Sequence, residues 1–369
     1  MKILIATGIY PPSIGGPATY SKLLFSELPK RGIDVSVVSF DEVRRFPKIF
    51  RHVIYFFKVL FRSRGNDIVY VQDPVSVGFP ALVASKISGK KTILKLVGDY
   101  AWEQGVQRFG VTDSLDVFCQ KRSGYGFRVR VLKWIQKFVA KHVNKIIVPS
   151  EYLKGVVTAW GVNPSKISVI YNAFNVPKGI SHTNFSKLNN LFSKKIILSV
   201  GRLVPWKGFE TLILLMPEIL KKISDVSLVI VGDGPDYEKL SFLIKEKKLE
   251  DTVNLIGRLE HETLLLYIKA STIFVLNTGY EGFSHQLLEV MASGTPIITT
   301  SVGGNKEIIT HGENGILVGY DNKEELLSNI IRLLNHSSNR EKLIKAGLQR
   351  VDDFNTEKMF SKLIETLTF

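Results

Sequence analysis

YEGFSHQLLEVMASGTPII, residues 280–298, is the most specific stretch of this sequence. A β-type run at 271–276 leads into it, and the chain then turns through an acidic segment at 281–283. Ser284 is placed as the N-cap of a helix that we predict as far as Ala292. The pattern therefore predicts an acidic loop at a helix N-terminus, an end that attracts anions and hydroxyl groups.

Two carboxylates in this stretch are separated by seven residues. Glu281 lies on the turn, and Glu289 lies roughly a turn and a half into the helix. At that separation they can hold opposite ends of one elongated polar ligand, with backbone N–H groups between them. The alternative is a capping carboxylate plus a solvated glutamate, but the order of strand, turn, capped helix and second strand favours a ligand site. The residues that we assign to it are Glu281, Gly282, Phe283, Ser284 and Glu289.

This order of features resembles glycosyltransferase family 4, the retaining nucleotide-sugar transferases with two Rossmann-like domains, an architecture called GT-B. In that family the Glu, seven residues, Glu element is the donor-sugar site, matched here by Glu281 and Glu289. The resemblance extends from MKILIATGIYPPSIGGPATY at residues 1–20 to the last helix. It implies an α/β fold in which two doubly wound parallel-sheet domains face each other across a cleft.

The length and composition agree with two domains in a reducing compartment. A chain of 369 residues exceeds one typical core. Cys119 is the only cysteine, so no disulfide can form within the chain. The short apolar run near the N-terminus predicts a first strand rather than a signal peptide, and no stretch reaches the roughly 18 apolar residues of a membrane span. We place domains at 1–175 and 176–354, and the resemblance implies that a helix at 355–369 crosses back to the first.

The net charge is confined to one half of the chain. Residues 1–175 contain 26 Lys and Arg against 11 Asp and Glu, whereas residues 176–369 contain 23 of each. This asymmetry indicates an anionic partner for the N-terminal half: nucleic acid, an acidic substrate or an anionic membrane.

Two segments carry most of this basic charge. We predict a helix at Arg44–Arg62, with its basic face on water and an apolar face packed on the sheet: Ile49, Phe50, Val53, Phe57 and Leu60. The second segment repeats Lys every fourth residue, at 133, 137, 141 and 145, near the aromatic residues Tyr125, Phe127 and Trp134. Basic and aromatic residues together are typical of a surface that binds anionic lipids. We therefore expect a cytoplasmic protein, peripheral on the inner face of the cell membrane, that reaches a glycan or polyprenyl-lipid-linked acceptor and binds no nucleic acid.

Apolar runs alternate with helix-length segments in the N-terminal half, which predicts a parallel sheet with ligands beyond the carboxyl ends of its strands. Gly15 and Gly16 follow the first run, where glycine lets the backbone approach a phosphate; a plain tight turn is the alternative. In the family this loop faces the donor diphosphate. Asp99 follows the fourth run, where family members often carry His two residues earlier, at the position of Val97. We assign Asp99 to the reacting centre, with capping of the following segment as an equal alternative.

In the C-terminal half, Arg202 and Lys207 follow the strand at 195–200 and precede a helix, which makes a cationic cradle suited to a diphosphate. Two ordinary surface cations are the alternative, but their place at a strand end favours function. In the family these positions hold the donor diphosphate, and the nucleobase lies near Arg258 and Leu259. No cluster has metal-ligand spacing, so we predict neither metal nor cofactor, with the two cations neutralising the leaving group.

These observations predict a retaining hexosyltransferase that uses a nucleoside-diphosphate sugar in the synthesis of cell-envelope polysaccharide or glycolipid. Fixed cations stabilise the departing diphosphate, Glu281 binds the donor sugar, and Glu289 binds the ribose hydroxyls. Retention of configuration is implied by the resemblance alone. A nucleotide-sugar epimerase of the same architecture and a basic nucleic-acid-binding protein are the alternatives.

Overall fold

The computed structural model describes residues 1–13, 15–121, 123–174 and 194–368. The chain divides into two compact units, Met1–Ile170 and Tyr171–Phe369. The predicted domain boundary at 175/176 lies outside the described residues, and each unit is considered by itself.

The first unit is built on a six-stranded parallel sheet with the strand order β2-β1-β3-β4-β5-β6. Its strands are short runs rich in Ile and Val that are mostly buried, as expected for a parallel sheet covered on both faces. The strands are β1 Lys2–Thr7, β2 Asp34–Ser39, β3 Ile68–Gln72, β4 Lys91–Lys95, β5 Lys145–Val148 and β6 Ile167–Val169. The helices are α1 Gly16–Glu27, α2 Lys48–Ser63, α3 Gly78–Ile87, α4 Tyr100–Arg108, α5 Leu115–Gln120, α6 Phe127–His142 and α7 Glu151–Ala159.

Helix α2 differs from its prediction in its start and in the face that it buries. It begins at Lys48, because Pro47 occupies the N-cap, and Arg44 instead pairs with Asp41 in the preceding turn. Tyr55 and Val59, one turn apart, are fully buried.

The prediction that its other apolar face packs on the sheet is wrong for three residues. Phe50, Val53 and Phe57 are exposed, and Phe61 extends this exposed row. The helix has two apolar stripes, and the Tyr55 stripe is the one that meets the core, where the Tyr55 hydroxyl donates to the Val38 carbonyl at 3.2 Å.

The second unit repeats the architecture with the strand order β12-β11-β10-β7-β8-β9. Its strands are β7 Lys195–Val200, β8 Val226–Val231, β9 Val253–Gly257, β10 Ile273–Leu276, β11 Ile297–Thr300 and β12 Ile316–Val318. Its helices are α8 Phe209–Lys222, α9 Tyr237–Glu246, α10 His261–Ala270, α11 His285–Ala292, α12 Asn305–Ile308, α13 Lys323–Asn335, α14 Ser337–Val351 and α15 Thr356–Leu367. Successive residues of β7 alternate between two apolar clusters, with Ile197 in one and Ile196 and Leu198 in the other. The core therefore covers both faces of the sheet.

Two parallel, doubly wound sheets confirm the predicted α/β fold class. The predicted crossing of the last helix onto the first domain stays a prediction. Among the described helices, none combines the length and apolar character that a membrane span requires.

Candidate active site

The second sheet presents most of the predicted donor residues in the loops that follow its strands. Arg202 and Lys207 follow β7, Arg258 follows β9, and Glu281 follows β10. Since β7 lies between β10 and β8 and all these strands are parallel, the loops emerge at one edge of the sheet. This is the edge where ligands bind in open α/β sheets.

Lys207 and Glu281 make the central contact of this edge. The Lys207 ammonium Nζ donates a short hydrogen bond to Glu281 Oε2. Their side chains are only 13% and 19% exposed, so this ion pair is largely withdrawn from solvent. The structure therefore joins a predicted diphosphate cation to a predicted sugar-binding carboxylate, although 74 residues separate them in sequence.

The buried side chain of Asn277 holds the two loops together. Asn277, which directly follows β10, donates from Nδ2 to the Gly208 carbonyl at 3.2 Å and to Asp321 Oδ1 at 2.7 Å. Asp321 N donates back to Asn277 Oδ1 at 3.1 Å. The Gly279 N–H donates to the Trp206 carbonyl at 2.7 Å. The backbone on both sides of Lys207 is thereby fixed relative to the loop that carries Glu281.

The loop after β11 holds the Glu281 turn from the other side. Gly303 has a φ of +53°, and a Cβ at this position would lie 2.0 Å from the Glu281 carbonyl oxygen. The next residue, Gly304, donates its N–H to that same oxygen at 3.0 Å. Only glycine satisfies both the left-handed backbone and this close approach.

The predicted helix after the turn is confirmed. Helix α11 ends at Ala292, and its N-cap Ser284 accepts a hydrogen bond from the Leu287 N–H at 3.4 Å. The ring of Phe283 is buried against Tyr171 and Phe354, at centroid distances of 5.4 and 5.6 Å. Because its side chain belongs to the core, Phe283 offers only backbone groups to a ligand.

Glu289 has a partner that the sequence did not reveal. Its Oε1 lies 3.3 Å from Nε2 of His261, the first residue of α10. The hydrogen bond to Glu289 raises the pKa of His261 above its ordinary value and so favours the imidazolium form. Glu289 is thus anchored beside the loop of Arg258 and Leu259, which the resemblance assigns to the nucleobase.

The remaining donor residues are more exposed. Arg258 Nε lies 3.3 Å from Asp233 Oδ2, an ion pair on the surface. Leu259 packs partly against the core. Arg202 is exposed and makes no ion pair with any described residue. Its neighbour Gly201 lies against the Lys207 side chain, since a Cβ there would be 3.8 Å from Lys207 Cδ.

The candidates of the first unit have mainly structural contacts. Gly15 is the N-cap of α1, which begins at Gly16. Asp99 is 1% exposed and caps α4, because its Oδ1 accepts hydrogen bonds from Trp102 N and from Gln136 Nε2, both at 2.9 Å. Burial raises the pKa of this carboxyl group. The capping alternative is confirmed, and a catalytic role for Asp99 stays a prediction that this burial does not favour.

Within the part of the chain that the structure describes, no group of three or more His, Cys, Asp and Glu side chains is arranged to hold a metal ion.

Comparison with known proteins gives matches over both units. Residues 14–177 match the family model described as Glycosyltransferase Family 4, and residues 181–350 match Glycosyl transferases group 1. An uncharacterized glycosyltransferase of Methanocaldococcus jannaschii, MJ1069, is 30% identical over 213 residues, 57% of this chain and 54% of that protein. The match thus spans about half the length of that relative. A second one from this organism, MJ1178, is 27% identical over 97% of this chain and 95% of its own length.

A solved structure has a similar fold. The crystal structure of Anabaena Alr3699/HepE in complex with UDP-glucose has a TM-score of 0.76 at 20% sequence identity. The likeness covers 100% of this chain and 99% of that one, and it identifies the fold as GT-B.

Proposed function

We propose that this chain is a family 4-type glycosyltransferase, a retaining hexosyltransferase that takes a sugar from a nucleoside-diphosphate sugar. The observation that carries the proposal is the contact between Lys207 and Glu281 at the carboxyl edge of the second sheet. It joins a cation suited to a diphosphate with a carboxylate suited to sugar hydroxyls.

The chemistry follows from the charges at this edge. Breaking a sugar–phosphate bond develops negative charge on the departing nucleoside diphosphate and positive charge on the sugar ring. Lys207 and Arg202 stabilise the first of these, and the Glu281 carboxylate binds the sugar and stabilises the second. Two fixed cations supply the charge neutralisation that a divalent metal provides elsewhere, so the proposed reaction uses no metal cofactor.

A uridine nucleotide is the first donor to examine. The similar Anabaena protein was solved with UDP-glucose, which supports this choice for a chain of the same fold. Glu289 accepts hydrogen bonds from the ribose hydroxyls in this proposal, and His261 orients its carboxylate. The acceptor is a glycan or polyprenyl-lipid-linked hydroxyl in envelope polysaccharide or glycolipid synthesis.

Thermal unfolding with UDP, GDP, ADP and their sugars tests the donor assignment. The nucleotide that fits raises the unfolding temperature by mass action. Lys207→Gln should weaken its binding about tenfold or more, because a hydrogen bond to a charged group contributes roughly 1.5–3 kcal/mol. The matched control is Lys222→Gln, which removes an exposed cation from the end of α8. Equal binding by both variants would contradict the assignment.

Product analysis with a labelled donor then separates transfer from epimerisation. Transfer places the label on a new acceptor with the anomeric configuration of the donor. A free epimer would show that water or an enzyme group replaces the acceptor.

We also propose that the first unit docks on the anionic inner face of the cell membrane. Helices α2, α3 and α6 pack side by side, and together they carry ten Lys and Arg residues and no Asp or Glu. Their outer side chains form what we call the basic aromatic face, with these exposed apolar residues: Phe50, Val53, Phe57, Phe61, Phe79, Ile87, Phe127 and Trp134. Exposed aromatic rings among cations without acidic residues are suited to an anionic bilayer surface.

Vesicle flotation tests this docking. Replacing both Phe57 and Phe61 by serine should weaken binding to vesicles of phosphatidylglycerol and phosphatidylcholine about tenfold per side chain, since burying a phenylalanine contributes roughly 1.5–3 kcal/mol. Both rings are exposed, so folding should be unaffected. The control replaces the exposed residues Phe242 and Leu348 of the second unit by serine. If this control lost as much binding, the face would not be the docking surface.

A further inference from the structure

A cavity of about 590 Å³ lies in the first unit, beside the basic aromatic face. Helix α5, the segment after it and helix α6 supply most of its lining, which includes Lys121, Tyr125, Arg130, Lys133, Trp134 and Lys137. None of the described residues that line it is acidic. Its volume falls within the roughly 300–1,000 Å³ that is typical of small-molecule sites.

The four cations of this cavity differ in what they already bind. Lys133 Nζ donates to the carbonyls of Phe118 at 2.7 Å and Lys121 at 2.9 Å. Lys121 Nζ pairs with Asp113 at 2.8 Å. Arg130 and Lys137, by contrast, make no side-chain hydrogen bond or ion pair with any described residue. Two of the cations therefore bind structural partners, and the other two line the cavity without a hydrogen bond or ion pair to any described residue.

The spacing of the α6 cations concentrates positive charge on one stripe. Arg130, Lys133 and Lys137 follow each other at three and four residues, so they lie on the same face of the helix. Like charges at this spacing destabilise a helix, and an anion bound among them removes the repulsion. Burial and the nearby Lys137 also lower the pKa of Lys133. A phosphate group, with several acceptor oxygens and a negative charge, matches these donors.

The neighbourhood of the cavity favours a lipid as the source of that phosphate. Trp134, which lines the cavity, is 59% exposed, and Phe127 on the same helix is 73% exposed. Trp134 also stacks on Phe138 at 5.4 Å, and Phe138 contacts Phe79 of α3 at 6.1 Å. Inorganic phosphate gains nothing from these exposed rings, whereas a lipid places its acyl chains against them.

We propose that this cavity binds the phosphate group of an anionic lipid head. The proposal rests on the membrane docking proposed above and adds to it a specific head-group site formed by Arg130 and Lys137. Docking by surface charge alone distinguishes only the amount of negative charge in the bilayer, whereas this site distinguishes phosphate from other anions.

The test compares two vesicle preparations of equal surface charge. One contains phosphatidylcholine with phosphatidic acid, and the other contains phosphatidylcholine with oleate, which carries a carboxylate in place of the phosphate. The unaltered protein should prefer phosphatidic acid. Replacing both Arg130 and Lys137 by glutamine should abolish that preference and weaken binding roughly 25-fold, since one basic residue near an anionic surface contributes about fivefold. The control, Lys221→Gln with Lys222→Gln, loses the same charge from the second unit and should keep the preference.

A second arm separates a lipid head from a soluble phosphate. Inorganic pyrophosphate is titrated while tryptophan fluorescence is recorded, and Trp134→Phe identifies the signal that comes from the cavity. Pyrophosphate that competes with phosphatidic acid vesicles, and loses this effect in the double variant, supports the proposal. Pyrophosphate binding without any vesicle preference overturns the lipid assignment, and an equal loss in the control overturns the site itself.

Nucleotide binding reports separately on the proposed function. The double variant should keep the thermal stabilisation by nucleotide, because all the donor residues of the second unit are intact. If nucleotide binding failed while the phosphate preference remained, the transferase proposal would fall and the head-group site would stand. Unchanged thermal unfolding of the double variant excludes misfolding as the cause of a loss.

Discussion

Replacing Gly303 by alanine tests how the site holds its acidic turn. The added Cβ would lie 2.0 Å from the Glu281 carbonyl oxygen, whereas ordinary contact begins at 3.4 Å. Loop and turn must therefore separate by about 1.4 Å to restore an ordinary contact. This movement stretches the hydrogen bond from Gly304 N to the same oxygen, which is 3.0 Å long.

The expected loss of stability has two parts. A non-glycine residue in the left-handed region costs roughly 1–2 kcal/mol, and alanine recovers roughly 0.4–1 kcal/mol by restricting the unfolded chain. Forcing atoms into a packed site costs a further 1–3 kcal/mol or so. Gly312→Ala is the matched control, because Gly312 has a φ of +78° but no atom of the described residues would lie within 4 Å of its added Cβ. The difference between the two variants isolates the clash at the Glu281 turn.

Two measurements follow for each variant. In chemical denaturation, the free energy of unfolding of Gly303→Ala should be about 1–3 kcal/mol lower than that of Gly312→Ala. Nucleotide-sugar turnover should fall about 100-fold in Gly303→Ala alone, since a displacement near 1 Å at a reacting centre has an effect of that size. Equal stability and equal turnover in the two variants would refute the reasoning that the β11 loop positions Glu281.

Three further predictions concern buried or paired polar groups. Glu289 raises the pKa of His261, so the stability that this pair contributes is full below pH 6.5 and is lost as the pH rises through the folded-state pKa. The unfolding temperature of the unaltered protein should therefore exceed that of His261→Gln at low pH and converge with it at high pH; a constant difference would contradict the pairing. Asp99→Asn should keep the α4 cap, because asparagine also caps helices, whereas Asp99→Ala should lose roughly 1–3 kcal/mol in urea unfolding by leaving the Gln136 amide unpaired. Equal losses in both would reject the cap, and a stable but inactive Asp99→Asn would support a catalytic role. Asn277→Ala should lower the free energy of unfolding by roughly 1–3 kcal/mol and should also weaken nucleotide binding, because it releases the Lys207 loop. Unchanged nucleotide binding in a thermal-shift titration would refute this link.

The sequence was sufficient where the physical cause was local. The N-cap Ser284 and the end of α11 at Ala292 depend on neighbouring residues, and both were predicted correctly. The end of the strand that precedes Arg202 and Lys207 could likewise be predicted, because the buried apolar run stops where the polar loop begins. The family resemblance then assigned both residues to the donor diphosphate, a role that their spacing alone did not establish.

The sequence was insufficient where distant segments meet. Asn277 and Asp321 bond across 44 residues, and His261 and Glu289 meet across 28, with no local signal for either pair. The prediction of the buried face of helix α2 was wrong for a related reason. Its periodicity shows two apolar stripes, and only the tertiary packing decides that the Tyr55 stripe meets the sheet while Phe57 stays outside.

The pairing of Lys207 with Glu281 makes the two ends of the proposed donor interdependent. A diphosphate that takes the Lys207 ammonium leaves the Glu281 carboxylate without its cation in a site that is mostly shielded from water. A sugar hydroxyl is the nearest replacement, so a nucleotide that carries its sugar satisfies both groups while the bare nucleotide satisfies one. In this proposal a single ion pair therefore couples binding of the phosphate portion of the ligand to binding of its sugar portion. This coupling favours binding of the intact nucleotide sugar over the nucleoside diphosphate that remains after transfer.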